Sequence, residues 1–169
     1  MIAPAIDRTP AQAWCTFRLG GGDYGVALAR VEEVLRPLPV TRLPLAPPAL
    51  AGLVNLRGRI LPVIDPRDVL GIRQPHTSGT ESLVVVSSAE GPVALLVDAI
   101  GDVRRADSGL PPPSLPPLER AGEEETALIE RTLALPGQLL VVLDLDRVLA
   151  RAFALPGPAL GPRAGGARP

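Results

Sequence analysis

Three strongly polar side chains stand where a buried strand is otherwise expected. In "AGLVNLRGRILPVIDPRDVLG", residues 51–71, the carboxamide of Asn55 and the guanidinium groups of Arg57 and Arg59 lie between apolar Leu53, Val54 and Leu56 and apolar Ile60, Leu61, Val63 and Ile64. A guanidinium is a permanent cation whose planar fork takes a carboxylate through two hydrogen bonds. Its stem also packs on apolar surface, and Arg is enriched at protein interfaces. Two readings are therefore open for Asn55 and Arg57: turn residues with a local hydrogen bond, or an exposed contact surface. Glu33, upstream in "RVEEVLR", admits the same division between solvated surface and contact.

Catalytic chemistry needs converging groups, and the chain offers few. His76, the sole histidine, stands beside Pro75 in a polar linker and reads as a solvated loop residue. Cys15 is alone, with neither a disulfide partner nor zinc spacing, and reads as a small core residue. "DLD" at 144–146 imitates part of a metal site, but a helix N-cap accounts for Asp144 and no third ligand is near in sequence. "GEEE" at 122–125 reads as a solvated loop or a first helical turn. No phosphate-binding GxxxxGK[ST], dinucleotide GxGxxG or nucleophile GxSxG is present. Hydrolase, kinase and redox readings all lack their parts, and no cofactor or metal is expected.

Composition narrows the field further. A chain of 169 residues with 46% hydrophobic content holds one compact domain or two small ones. Aromatics are only 2%, so the core must come from Val, Leu, Ile and Ala, and the β-branched share suits strands. All 17 basic residues are Arg, yet the net charge is -1, which argues against a nucleic-acid binder. The adjacent pair Arg104-Arg105 reads as solvated surface. No apolar run is long enough to span a bilayer. The opening "MIAPAIDRTPAQAW" lacks the pattern of a secretory signal, so a soluble cytoplasmic protein is expected.

The elements that must position the polar cluster are mostly strands. "WCTFRL", a Gly20–Asp23 turn and "YGVAL" read as a hairpin. Val31, Val34 and Leu35 follow at spacings of three and four, which predicts a short helical face ended by Pro37 and Pro39. "VTRL" (40–43) reads as a short strand, and "PLAPPALAG" as a Pro-broken connection with one helical turn. "LVNLRGRILPVID" predicts two strands about a turn at Arg57-Gly58. Asp65 as N-cap, Pro66 at the first position and Gly71 at the end then frame a helical turn. After the polar linker 72–80, strands are expected in "SLVVVSS", "PVALLVDAI", "DVRRA", "ALIERTLAL" and "QLLVVLDL", with a closing helical turn in "DLDRVLARAF". The Pro-rich stretch 107–125 cannot be regular structure, and the tail 156–169 is expected to be disordered.

An internal repeat underlies this pattern. Sliding residues 53–70 by 79 positions lays "LVNLRGRILPVIDPRDVL" on "TLALPGQLLVVLDLDRVL". Gly58 meets Gly137, Asp65 meets Asp144, and Leu56, Leu61, Val63, Val69 and Leu70 meet identical residues. Asn55, Arg57 and Arg59, in contrast, meet Ala134, Pro136 and Gln138. The glycine turn and the aspartate cap are therefore what the fold requires, and the polar trio serves the first half alone.

On these residues the chain resembles the CheW-like family of chemotaxis coupling proteins. The matching motifs are Tyr24-Gly25, "VEEV" at 31–34, "GLVNLRG" at 52–58, "PVID" at 62–65 and Leu70-Gly71, and the likeness runs over about residues 14–151. It departs at Pro66, where the family usually has Leu, and in the idiosyncratic loop 107–118. The resemblance implies a mainly β fold of two small SH3-like five-stranded barrels with a groove between them. It implies an arm at 1–13, a first half at 14–71 and a second at 81–151, with strands free to cross between them. It also implies a non-enzymatic adaptor, without cofactor or nucleic acid and without membrane insertion. That adaptor would join the cytoplasmic tips of chemoreceptors to the histidine kinase CheA at arrays on the inner face of the membrane. By the same likeness Val31, Glu33, Gly52, Asn55 and Arg57 fall on the receptor-contacting surface, and Arg42 and Leu43 on a separate kinase-contacting face. The competing readings are the same adaptor in a non-flagellar pathway, such as pilus motility or gene control, and an enzyme with an unrecognised site in the groove between the barrels.

Overall fold

The computed structural model describes residues 12–74, 81–105 and 123–157. The chain order is β1 (Ala13–Leu19), β2 (Gly22–Ala27), a 3-10 turn (Leu28–Arg30), β3 (Val31–Leu35), β4 (Leu50–Leu56), β5 (Arg59–Ile64) and α1 (Pro66–Leu70), then β6 (Ser82–Ser88), β7 (Gly91–Val97), β8 (Ala99–Arg105), α2 (Glu123–Thr126), β9 (Ile129–Leu135), β10 (Gln138–Leu143) and α3 (Leu145–Ala154). The fold is mainly β, as the resemblance implies: two five-stranded sheets, ordered β8-β1-β2-β10-β9 and β3-β6-β7-β5-β4.

The repeat seen in sequence is a repeat of structure. β4 and β9, and likewise β5 and β10, begin and end at positions related by the same shift of 79 residues. The Asp65 N–H donates to the Ala49 carbonyl and the Asp144 N–H to the Leu128 carbonyl, both at 2.8 Å. The two sheets nevertheless do not coincide with the two halves. Each half's opening hairpin joins the sheet that holds the other half's last three strands, so β1-β2 pairs with β8 and β10, and β6-β7 pairs with β3 and β5.

Near-continuous apolar runs mark the central strands because both of their faces are covered. In β6, Val84 and Val86 enter the main core while Leu83 and Val85 enter a second cluster on the opposite face with Val54, Leu61 and Val63. The main core draws Cys15, Phe17, Leu19 and Val26 from one sheet, Ile64, Val93, Leu95 and Val97 from the other, and Val69, Val148 and Leu149 from the helices. Trp14, Leu140 and Val142 form a third cluster on the far face of the first sheet.

Three expected elements differ. Residues 31–35 are a strand, not a helical face. The ladder with β6 slips between Val31 and Glu33, so the regular alternation is broken and the apolar residues fall at a helix-like spacing. A free-standing helix of five residues is marginal, whereas the β6 edge offers ready hydrogen bonds to a Val-rich segment. "VTRL" is not a strand, because only Thr41 bridges to Leu53, with both N–H···O bonds at 2.8 Å. Residues 44–49 form turns without a helical turn, since Pro44, Pro47 and Pro48 remove donors. The expectations for the arm 1–13 up to residue 11, for His76, for 107–122 of the Pro-rich stretch and for the tail from 158 lie outside the described residues, whereas 123–125, expected to be irregular, open α2 and follow the first-helical-turn reading of "GEEE".

Candidate functional site: a polar contact face

The turn between β4 and β5 holds the polar cluster. Arg57 has φ 54 and Gly58 φ 86, so both central residues are left-handed, the requirement of the tight I′ turn that matches strand twist. Gly58 adopts this freely, whereas Arg57 does so at a cost of about 1–2 kcal/mol. The Asn55 Oδ1 accepts the Gly58 N–H at 2.8 Å, which supplies the local bond of a turn residue. In the second half only Gly137 of the Pro136-Gly137 pair has positive φ (72), the pattern of a type II turn, and no guanidinium is present.

Arg57 reaches outward. Its side chain is 77% exposed, and Nη2 donates to Glu33 Oε2 at 3.1 Å. Two segments separated in sequence thus meet on one face: the β4–β5 turn and the edge strand β3. Glu33 lies on that strand and not on a helix surface, and it is half-buried. Val31, at the start of β3, packs partly against the main core. Gly52 is buried, with φ 151, and a Cβ there would lie 2.3 Å from the Thr41 carbonyl oxygen. Its glycine therefore lets the 40–42 segment approach the β4 backbone.

Arg42 and Leu43 stand apart, exposed in the connection between β3 and β4. They line a groove of about 620 Å³ with Leu38, Val40 and Leu45 on its apolar side and Asp68 and Glu81 among its charged lining. Asp65 caps α1 through the Arg67 N–H at 3.0 Å, and Asp144 caps α3 through the Arg147 N–H at 3.1 Å.

Two ion pairs were not anticipated from sequence. Arg67, only 3% exposed, pairs with Asp98, whose Oδ2 also accepts the Gly20 N–H at 2.8 Å. Arg30 grips Asp146 with two hydrogen bonds, Nη2 to Oδ1 at 2.7 Å and Nη1 to Oδ2 at 3.1 Å. These bonds hold the Asp146 carboxyl below the usual carboxylate range and raise the Arg30 guanidinium. The two pairs are counterparts. Positions 67 and 146 are related by the repeat, and Arg30 and Asp98 each immediately precede a third strand, with the charges exchanged. A sign inversion at matched repeat positions was the available signal, hidden because a search for identities passes over it.

Burial alone pushes the Cys15 thiol and the Tyr24 phenol upward, as expected of inert core groups. Among the described residues no group of three or more His, Cys, Asp or Glu side chains is placed to hold a metal ion. Also among them, no helix is long and apolar enough to cross a membrane. The chemistry this face offers is recognition: an exposed cation braced by a carboxylate, beside apolar strand edges.

Residues 13–153 match the CheW-like domain, and the chain belongs to that family. It is 29% identical to "Chemotaxis protein CheW" of Rhizobium meliloti over 78% of this chain and 83% of that protein. It is 30% identical to "Protein PilI" of Pseudomonas aeruginosa over 65% of this chain and 63% of that one. The scaffolding protein TtCheW of Thermoanaerobacter tengcongensis superposes with a TM-score of 0.72 at 25% identity, over 87% of this chain and 93% of its own. CheW-like proteins are scaffold adaptors of chemotaxis signalling, and this chain is one of them.

Proposed function

We propose that the chain is a non-enzymatic adaptor that couples the cytoplasmic tips of chemoreceptors to the histidine kinase CheA in an array at the inner face of the membrane. Val31, Glu33, Asn55 and Arg57 form the receptor-contact surface, with Gly52 shaping the backbone beneath it, and the groove at Arg42 and Leu43 serves the kinase. One observation carries the reading. A bulky Arg occupies a left-handed turn position that Gly or Asn would fill more easily, and its charged end is exposed and braced at its rim by Glu33. Strain kept at an exposed residue points to use of that residue by a partner.

The test separates stability from binding. An exposed ion pair contributes about 0–1 kcal/mol, so Arg57→Glu and Glu33→Arg should each leave melting nearly unchanged. Each should weaken binding to a receptor-tip fragment by about 2 kcal/mol or more, as loss of a central interface Arg commonly does. Binding to a CheA fragment should survive. The double exchange R57E/E33R should restore the ion pair without restoring receptor binding. If Arg57→Glu folds and binds the receptor fragment normally, the contact surface lies elsewhere. A second reading places the same adaptor in a non-flagellar chemosensory pathway. Its likeness to Protein PilI favours it, and the identity of the co-purifying kinase decides between the two.

A further inference from the structure

We propose that the Arg30–Asp146 pair is a latch that positions β3, and with it Val31 and Glu33, on the contact face. The proposal rests on the receptor-contact reading given above. Arg30 is the last residue before β3. Besides its two bonds to Asp146, its Nε and Nη2 donate to the Ser87 carbonyl at 3.1 and 2.8 Å, and the Ser87 hydroxyl donates back to the Arg30 carbonyl at 3.3 Å. One side chain thus ties the start of β3 both to its ladder partner β6 and to the first turn of α3.

β3 needs such a tie. It is the outer strand of its sheet, five residues long, and hydrogen-bonded in the sheet order to β6 alone. Its ladder slips between Val31 and Glu33, within three residues of Arg30. A short edge strand held by one ladder has few hydrogen bonds to fix its place, and a one-residue slip turns every side chain to the other face. Such a slip would carry Glu33 away from Arg57.

The matched pair elsewhere in the molecule provides an internal comparison. Asp98 precedes β8 as Arg30 precedes β3, and Arg67 lies in α1 where Asp146 lies in α3. That pair is almost wholly buried, with side chains 4% and 11% exposed, whereas Arg30 and Asp146 are 31% and 68% exposed. The buried pair is a permanent fastening of the crossover. The exposed pair works within reach of solvent and salt, next to the strand that meets the partner. Arg67 also shows that this position in a first helical turn accepts an Arg paired with an Asp before the strand, so the exchange R30D/D146R builds an arrangement the fold already contains.

The experiment measures amide hydrogen exchange of residues 31–35 together with binding to a receptor-tip fragment and to a CheA fragment. The proteins are the full chain and its Asp146→Asn, R30D/D146R and Arg57→Glu variants. Asp146→Asn should speed exchange in 31–35 and weaken receptor binding, each roughly 2- to 30-fold, the range for residues that act through a neighbour. CheA binding and the melting temperature should hold, and the charge exchange should recover the losses only in part, since it restores the pairing with α3 but gives up the two donors to the Ser87 carbonyl. Unchanged exchange in Asp146→Asn would overturn the latch. If Asp146→Asn fails to fold, the salt response of the unaltered protein decides: exchange in 31–35 must quicken as salt rises, and a flat response overturns the proposal. If Arg57→Glu binds the receptor fragment normally, the receptor reading fails, and exchange in 31–35 still judges the latch by itself.

Discussion

Replacing Asp98 by Asn should be among the most damaging single changes in the chain, although it alters no shape. Asn keeps an oxygen for the Gly20 N–H, now bonded at 2.8 Å, but removes the charge facing Arg67. Arg67 is only 3% exposed, so its guanidinium is cut off from water. Its Nη1 keeps the bond to the Gln74 carbonyl at 3.1 Å. Breaking a buried pair in this way costs about 3–5 kcal/mol. For a protein of this size each kcal/mol lowers the melting point by about 2–4 °C, so the expected fall is roughly 6–20 °C. The same substitution at Asp146, in the exposed counterpart pair, should cost no more than about 1 kcal/mol. Replacing both buried partners, R67M/D98L, should recover most of the loss, since a well-packed apolar pair often matches a buried ionic one. Urea unfolding of the four proteins measures all of this. If Asp98→Asn costs less than about 1 kcal/mol, or no more than Asp146→Asn, the buried pair does not fasten the crossover.

Gly52→Ala should destabilise the protein by at least about 1–3 kcal/mol and loosen 36–49 to proteolysis, because its Cβ would meet the Thr41 carbonyl oxygen at 2.3 Å in a backbone with φ 151; intact resistance to protease would refute the close approach. The Asp146 carboxyl should titrate below its ordinary value, and Arg30→Gln should move the midpoint up. A depressed folded-state value means the pair's contribution is full above about pH 4 and fades as pH falls through that lower value. Carboxyl resonances followed by NMR from neutral to acid pH check the sign.

The strands were legible wherever alternation or a buried apolar run reported on packing, as in β1, β6 and β10. The hairpin at Arg57-Gly58 and the caps at Asp65 and Asp144 were legible because a turn and a helix start demand particular residues locally. β3 was not. Its ladder slip scrambles the alternation, and its strand state is decided by β6, some fifty residues later. The 40–43 segment carries β-branched residues without a sheet to receive them, so only Thr41 pairs. Of the contact face, the residues were legible but their association was not. Nothing local to Glu33 or to Arg57 says that they meet, and nothing local to Arg67 says that its partner lies beyond the linker. Ion pairs between distant segments are set by topology, which spacing does not encode.

The exchange of hairpins between the halves also dictates how the molecule can be made. β2 must wait for β10, with Tyr24 paired to Val141 over a hundred residues later, and β3 must wait for β6. During synthesis the first half emerges as two hairpins with unmatched edges: β4-β5 waits for β6 and β7 of the second half, and β1-β2 waits for β8, β9 and β10, the last strands of the chain. Loop-closure entropy is thus spent before the pairings that offset it, the condition for slow folding and for exposure of sticky strand edges. A break in the chain between the halves should therefore give fragments that aggregate singly and fold only together.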